Sequence, residues 1–370
     1  MIVLGIETSC DETAAAVVST SGDPARPWRV DSNIVASQVE IHREWGGVVP
    51  EIASRQHVRD ICGVVDRALA EAGVSWSAVD AIAVTQGPGL VGSLLVGVSF
   101  AKAAAMALDR PVIAVHHLAG HIESIVLEHG AIPWPAAILV VSGGHTSLYL
   151  VEEPGRYQLV GRTRDDAAGE AYDKVARLLG LGYPGGPLID RRAKLGRDDA
   201  IRLPRPKFTH RDRNAAPADL GHDAITGRPV AEFSFSGLKT AVIRLLEEHG
   251  IRVAQGLGVT SATPLPDETI NDICAGFQRV VVEALVDQTF QAARTLGARS
   301  IGIAGGVSAN SRLRQDAVER GHREGLPVFV PRLALSTDNA AMIAAAGLRK
   351  LQRGESSPLD FNAAATLGID

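Results

Sequence analysis

The first apolar run, Ile2 to Ile6, stops at the polar stretch Glu7-Thr8-Ser9-Cys10-Asp11-Glu12-Thr13 and resumes at Ala14 to Val18, a pattern that predicts strand, polar hairpin, strand. The same device returns where Ala137 to Val141 is interrupted by Ser142-Gly143-Gly144-His145-Thr146 and resumes at Leu148 to Val151. A second device also occurs twice. Ala81 to Val84 reads as a strand entering the turn Gln86-Gly87-Pro88-Gly89 and then a helix from about Gly92; Ser300 to Ala304 enters Gly305-Gly306 and a helix from about Ser308. Apolar residues three and four apart predict helices over Ile52–Ala72, Ala171–Leu179, Leu238–Leu246, Ile270–Leu296 and Asn339–Leu351, and Val112 to Val115 predicts a further strand. Alternating strands and helices make the class α/β, and the doubled devices imply two duplicated lobes facing a shared cleft.

Length agrees with two lobes, since 370 residues exceed what one hydrophobic core usually supports. The expected division is an N-terminal lobe over 1–133, a C-terminal lobe over 134–338, and a final helical segment, 339–370, returning to the first. Stretches near 203–229 and 255–266 lack any period and read as insertions. No apolar run stands out as a membrane span, and the N-terminus has no basic region ahead of Glu7, so the expectation is a soluble protein without a secretory signal. Three cysteines, Cys10, Cys62 and Cys274, stand far apart and supply neither a disulfide framework nor a thiolate zinc site, which points to a reducing compartment. Net charge is −5, yet Arg191 to Arg213 carries nine Lys/Arg against three Asp. That segment is either a local polyanion-binding surface or a solvated loop.

Candidate chemistry sits at the element ends. His117-Leu118-Ala119-Gly120-His121 puts two imidazoles four residues apart on one face of a helix, a spacing that suits a divalent metal or two capping or core histidines. Three Gly-rich turns, at Ser142-Gly143-Gly144, Tyr183-Pro184-Gly185-Gly186-Pro187 and Ala304-Gly305-Gly306-Val307-Ser308-Ala309-Asn310, let backbone N–H groups approach an anion. None matches a P-loop or a dinucleotide fingerprint. Asp165, Asp166 and Glu170 suit the start of a helix, whereas Asp173 falls inside it and is free to face a ligand. Asp338 reads as an N-cap of the last helix or as a third metal ligand.

The ordered motifs GIETSCDETAAAVV, HHLAGH, VVSGGHT, GEAYDKVARLLGLGYPGGP, FSFSGLKTAV, GGVSAN and STDNAAMIA resemble the tRNA N6-adenosine threonylcarbamoyltransferase family, in its bacterial form. Its members were once described as O-sialoglycoprotein endopeptidases. The resemblance runs from Met1 to about Leu351 and implies an actin/Hsp70/sugar-kinase-like fold, two duplicated lobes around a central nucleotide and metal cleft. It further implies one divalent metal, iron in preference to zinc, on His117, His121 and Asp338, and ligand binding at Val140, Val141, Ser142, Gly143, Gly144, Asp173, Gly186, Asp190 and Asn310. The implied reaction passes a threonylcarbamoyl group from threonylcarbamoyl-AMP to N6 of the adenosine 3′ of the anticodon in tRNAs reading codons that begin with A, and releases AMP. Asp11 and Glu12 are candidates for guiding the amine or taking its proton. The implied partners are tRNA, a catalytically silent paralogue and a small P-loop ATPase, in the cytoplasm and without a membrane. A small-molecule kinase on the same fold is the alternative; a metallopeptidase is disfavoured because no HExxH supplies a general base.

Overall fold

The opening apolar run forms β1 (Ile2–Glu7), which turns through the polar hairpin into the antiparallel β2 (Glu12–Asp23), with Ile6 opposite Ala15. The structure is a computed structural model that describes residues 1–205, 231–248, 251, 253–254, 258–259 and 265–369. β3 (Arg26–Ser37) pairs with β2 at the sheet edge. Its Arg29, Asp31, Ser32 and Asn33 break the apolar alternation, and an edge strand tolerates them because part of it meets water, which is why the hydropathy pattern does not predict it.

Helix α1 (Pro50–Ala72) buries Ile61, Val64, Val65, Ala68 and Leu69, the positions its periodicity selects, and ends at Gly73 in the left-handed conformation. β4 (Ala81–Gly87), α2 (Val91–Leu108), β5 (Val112–His116) and α3 (His117–His129) follow. β4 is parallel to β1 and β5 to β4, so the sheet runs β3-β2-β1-β4-β5. Contrary to the sequence expectation, α2 has the length and mean hydropathy, 1.7, of a membrane span. It buries Leu94, Gly97, Val98, Ala101 and Ala105, and the Lys102 ammonium donates to the Phe361 carbonyl.

The second sheet repeats the first. β6 (Ala136–Val141) turns through Ser142-Gly143-Gly144 into the antiparallel β7 (Thr146–Glu153), then β8 (Arg156–Thr163). Helices α4 (Ala168–Leu178) and α5 (Gly185–Ala193), the short β9 (Ala231–Phe233), α6 (Ser236–Glu248), the two-residue pair β10 (Val253–Ala254) and β11 (Gly258–Val259), and α7 (Asp267–Thr295) come next. β12 (Ser300–Ala304), parallel to β6, leads through a single 3-10 turn, Gly306–Ala309, to α8 (Ser311–Glu324) and β13 (Val328–Phe329). The order β13-β12-β6-β7-β8-β9 therefore reproduces β5-β4-β1-β2-β3 with one strand added. Much of the two expected insertions lies outside the described residues.

By contacts, the chain forms one unit from Met1–Pro133, Glu153–Tyr157 and Phe329–Asp370 and another from Trp134–Glu152 and Gln158–Val328. The return to the first unit begins at Phe329, ahead of the expected 339, so Asp338 belongs with the first unit. There α9 (Ala340–Gln352) lies along β1 and α3 with its backbone almost touching them. A Cβ on Gly5 would stand 2.8 Å from Ala344 Cβ and closer still to the Ala340 carbonyl; one on Gly120 would stand 2.8 Å from Ile343 Cδ1. Farther along α9, Arg349 Nη2 is 2.7 Å from Glu123 Oε2 on α3, a buried ion pair beside the Trp28 ring. Gly5→Val should force α9 off the sheet and destabilise the fold by about 1–3 kcal/mol. A chemical-denaturation midpoint unchanged from the parent protein would refute this close-approach account.

Candidate metal centre and ligand loops

Three elements of the first unit bring His117, His121 and Asp338 together. β5 ends at His116, whose side chain accepts the Leu118 N–H, so α3 begins with His117 and places His121 one turn on. Asp338 precedes α9, but the N-cap is Asn339, whose side chain accepts the Met342 N–H at 3.1 Å. The capping alternative for Asp338 is thereby excluded. Its carboxylate Oδ1 lies 3.2 Å from His121 Nε2 and 3.6 Å from His117 Nε2, and one ligand atom from each residue falls within 4.8 Å of the others.

The donor chemistry fits a metal ion. Glu7, fully buried at the end of β1, accepts from His117 Nδ1 at 2.9 Å and from Thr85 Oγ1 at 2.8 Å. A carboxylate on Nδ1 fixes the ring orientation and leaves the Nε2 lone pair aimed at Asp338, the arrangement that supports a metal-ligating imidazole. His121 is fully buried, and neither of its ring nitrogens has a partner in hydrogen-bond geometry. With the Asp338 carboxylate 3.2 Å from Nε2 but outside hydrogen-bond geometry, so buried an imidazole is costly unless a group from outside the chain completes it. These three residues could hold a divalent cation.

The electrostatics agree. Burial alone would raise the Glu7 carboxyl, but the facing His117 outweighs it and holds Glu7 below the usual carboxylate range. Burial also opposes charge on His117, yet Asp338 and Glu7 push that imidazole up to about 9. Burial keeps His121 below its ordinary value, hence neutral with a lone pair available. Glu12 is pushed well above the carboxylate range, first by burial and then by Asp11 and Asp338. The pattern is a buried, cation-seeking cluster, with Glu12 close enough to Asp338 to feel its charge. Glu12 accepts from Ser37 Oγ at 3.3 Å. Glu7 and Thr85 are the site residues that sequence reasoning missed; the only signal was a carboxylate closing an otherwise apolar strand.

In the second unit the glycines of three turns leave backbone uncovered. A Cβ on Gly143, Gly144, Gly186 or Gly306 would meet nothing within 4 Å, so these amides can be approached by a ligand. Ser142 caps the turn by accepting the His145 N–H. Val140 and Val141 are wholly buried in β6 and can offer only main-chain atoms at the strand end. Asp173 accepts the Gly185 N–H at 2.7 Å, tying α4 to the second turn. Asp190 accepts from Ser311 Oγ at 2.7 Å and pairs with Lys194. Asn310 caps α8 through Leu313 N–H and donates to Gln278 Oε1 at 2.7 Å. Asp190 and Asn310 are therefore already engaged in holding the third turn.

The remaining polar candidates have local duties. Asp166 and Glu170 pair with Lys174, and Asp165 accepts the Phe235 N–H at 2.7 Å before α6. The Arg-rich segment is largely neutralised within the described residues: Arg192, Arg197 and Arg205 reach Asp267, Asp272 and Glu283 of α7. Residues 206–213 of that segment lie outside the described residues.

The model of a family described as tRNA N6-adenosine threonylcarbamoyltransferase matches residues 29–345. A protein of that name from Koribacter versatilis is 48% identical over 100% of this chain and 99% of its own length. Another, from Anaeromyxobacter sp., is 48% identical over 98% of both chains. Among solved structures, full-length HypF in a phosphate- and nucleotide-bound form aligns with a TM-score of 0.56 at 12% identity, covering 96% of this chain and 47% of that one. That likeness shows the fold, the duplicated actin/Hsp70/sugar-kinase-like α/β architecture. With the family model spanning most of its length and relatives nearly half identical from end to end, this chain belongs to the tRNA N6-adenosine threonylcarbamoyltransferase family.

Proposed function

We propose that this protein transfers the threonylcarbamoyl group of threonylcarbamoyl-AMP to N6 of the adenosine 3′ of the anticodon in tRNAs reading codons that begin with A. The observation that carries the reading is the end-to-end match to the family; the buried His117, His121 and Asp338 cluster supports it. A kinase on the same fold would have no evident use for that cluster.

An exocyclic adenine amine is a weak nucleophile, so the enzyme must place it against the carbamoyl carbon and stabilise the developing oxyanion. The N6–carbon bond forms, the carbon–oxygen bond to the phosphate breaks, and AMP leaves with the electron pair. His117, His121 and Asp338 would hold a divalent metal, iron in preference to zinc, with Glu7 keeping His117 in the ligating tautomer. Bound there, the ion supplies Lewis-acid stabilisation of negative charge. Asp11 and Glu12 guide the amine or take its proton. The open amides of Gly143, Gly144, Gly186 and Gly306 hold the adenylate phosphate, with Ser142 and the strand end at Val140 and Val141 beside them. Asp173 secures the ligand through its own carboxylate and the Gly185-Gly186 turn, while Asp190 and Asn310 hold the third turn in place. The protein works in the cytoplasm with tRNA, a silent paralogue and a small ATPase.

Elemental analysis should find about one equivalent of iron or zinc, lost in His117→Ala, His121→Ala double variants. Full metal retention there would remove the assignment. Asp173→Ala deletes a carboxylate hydrogen bond of the kind worth ~1.5–3 kcal/mol, so adenylate binding should weaken about 10- to 100-fold while metal content is unchanged. Unaltered affinity would leave Asp173 a purely structural residue. Nucleoside analysis of unmodified tRNA incubated with threonylcarbamoyl-AMP, the partners and this protein should show N6-threonylcarbamoyladenosine. No modified nucleoside, with phosphoryl transfer from ATP to a small acceptor instead, would replace this reading by the kinase.

A further inference from the structure

Beneath the Cys10-Asp11-Glu12 hairpin lies a buried polar network that the mechanism above does not use. His57, on α1, is fully buried, and so are Thr13, Gln38 and His42. His57 Nε2 is 2.9 Å from the Cys10 carbonyl oxygen, and its Nδ1 is 2.8 Å from Thr13 Oγ1 and 3.3 Å from Gln38 Nε2. Gln38 Oε1 is 3.2 Å from His42 Nε2, and His42 Nδ1 is 3.3 Å from the Val49 amide nitrogen. The Gln38 backbone N–H donates to the Asp11 carbonyl at 3.0 Å.

The two ends of this chain dictate every proton in it. A carbonyl can only accept, so His57 Nε2 carries hydrogen; a backbone N–H can only donate, so His42 Nδ1 does not. His42 must then donate from Nε2 to Gln38 Oε1. That fixes the Gln38 amide with its nitrogen toward His57, whose Nδ1 accepts from it and from Thr13. The reversed amide would set Gln38 N–H against the protonated His42 Nε2. Both rings are neutral, in agreement with the burial that holds His57 below its ordinary value.

We infer that His57, with Gln38 and His42 behind it, is a positioning residue for transfer: it holds the Cys10 carbonyl, beside the Asp11 carbonyl that the Gln38 backbone N–H holds, and thereby sets where Asp11 and Glu12 stand. This rests on the reading in which those carboxylates handle the adenosine amine. Misplacement of a reacting group by about 1 Å can cost a hundredfold in rate, so a single hydrogen bond to this hairpin has leverage on turnover.

In the complete metal-loaded assembly, His57→Leu should lower kcat at least about tenfold with KM for threonylcarbamoyl-AMP and metal content unchanged. His57→Gln, whose amide nitrogen can replace Nε2 as donor to Cys10, should restore kcat to within about threefold of the parent. Equal loss in both variants, or a rise in KM at unchanged kcat, overturns the inference. Nitrogen-15 NMR of the imidazoles in the full chain alone should show His57 and His42 as neutral Nε2–H tautomers. A charged or Nδ1–H ring at either position overturns it as well, and this spectrum needs no variant to fold. An inactive parent assembly would instead bring down the transfer reading, whereas the spectrum judges the network independently.

Discussion

Everything in the candidate metal centre depends on how closely the backbone of α9 approaches β1 and α3. Asp338 stands immediately before that helix, and His117 and His121 stand on α3, so the distance between the helices sets the distance between the ligands. Ordinary side chains at the crossing would hold helix axes about 8–10 Å apart. Here Gly5 and Gly120 remove the Cβ atoms that would collide with Ala344 and Ile343, and Gly347 does the same against Ala83. Nine consecutive residues of α9, from Ala340 to Leu348, are buried, and six of them are alanine or glycine, which lets the helix lie at the centre of its unit. At the other end the Arg349–Glu123 pair fixes the register. Deleting one partner of such a buried pair costs several kcal/mol, so the register is strongly specified.

That packing creates a debt of buried polarity, and its distribution is informative. Glu7, Thr85 and His117 satisfy one another through hydrogen bonds near 2.8–2.9 Å. His57, Gln38, His42 and Thr13 form a second chain in which each donor meets an acceptor. His121 differs, since both of its nitrogens are buried without hydrogen-bond partners. The second group is complete as protein structure and therefore acts on something else by holding it in place, whereas the first orients His117 and leaves its Nε2 for a cation. His121 is incomplete as protein structure, and its neighbours Asp338 and His117 supply the donors a cation would share with it.

The sequence made the architecture legible wherever periodicity was clean. The doubled strand–hairpin–strand and strand–glycine–helix devices became two sheets with matching strand order, because alternation and turn chemistry act locally. β3 escaped notice because its polar residues are permitted by an edge that the sequence does not reveal. Asp338 could not be told from a cap because Asp and Asn are adjacent and both cap well; only the Asn339 geometry separates them. The segment Arg191 to Arg213 left a polyanion-binding surface and a solvated loop both open because the acids that Arg192, Arg197 and Arg205 meet lie far along the chain, on α7 at Asp267, Asp272 and Glu283. Glu7 was visible but gave no clue to its partner, His117, which arrives through a parallel strand pairing rather than from any local pattern.

The glycine turns show the same division between what local chemistry states and what packing decides. In each doubled glycine of the later turns one residue is structural and the next is open. A Cβ on Gly185 would collide with the Tyr172 carbonyl and Asp173 Cα, and one on Gly305, whose φ is +89°, with the Val141 carbonyl; Gly186 and Gly306 face open space. The first glycine lets the turn press against the strand or helix beneath it, and that pressing presents the second as bare amide. Gly143 and Gly144 achieve this differently: both are open, and the close approach is made from below by Gly169, where a Cβ would meet the Ser142 carbonyl and Gly143. Open backbone at such a turn is therefore a property of paired positions, one that closes the packing and one that leaves the backbone exposed.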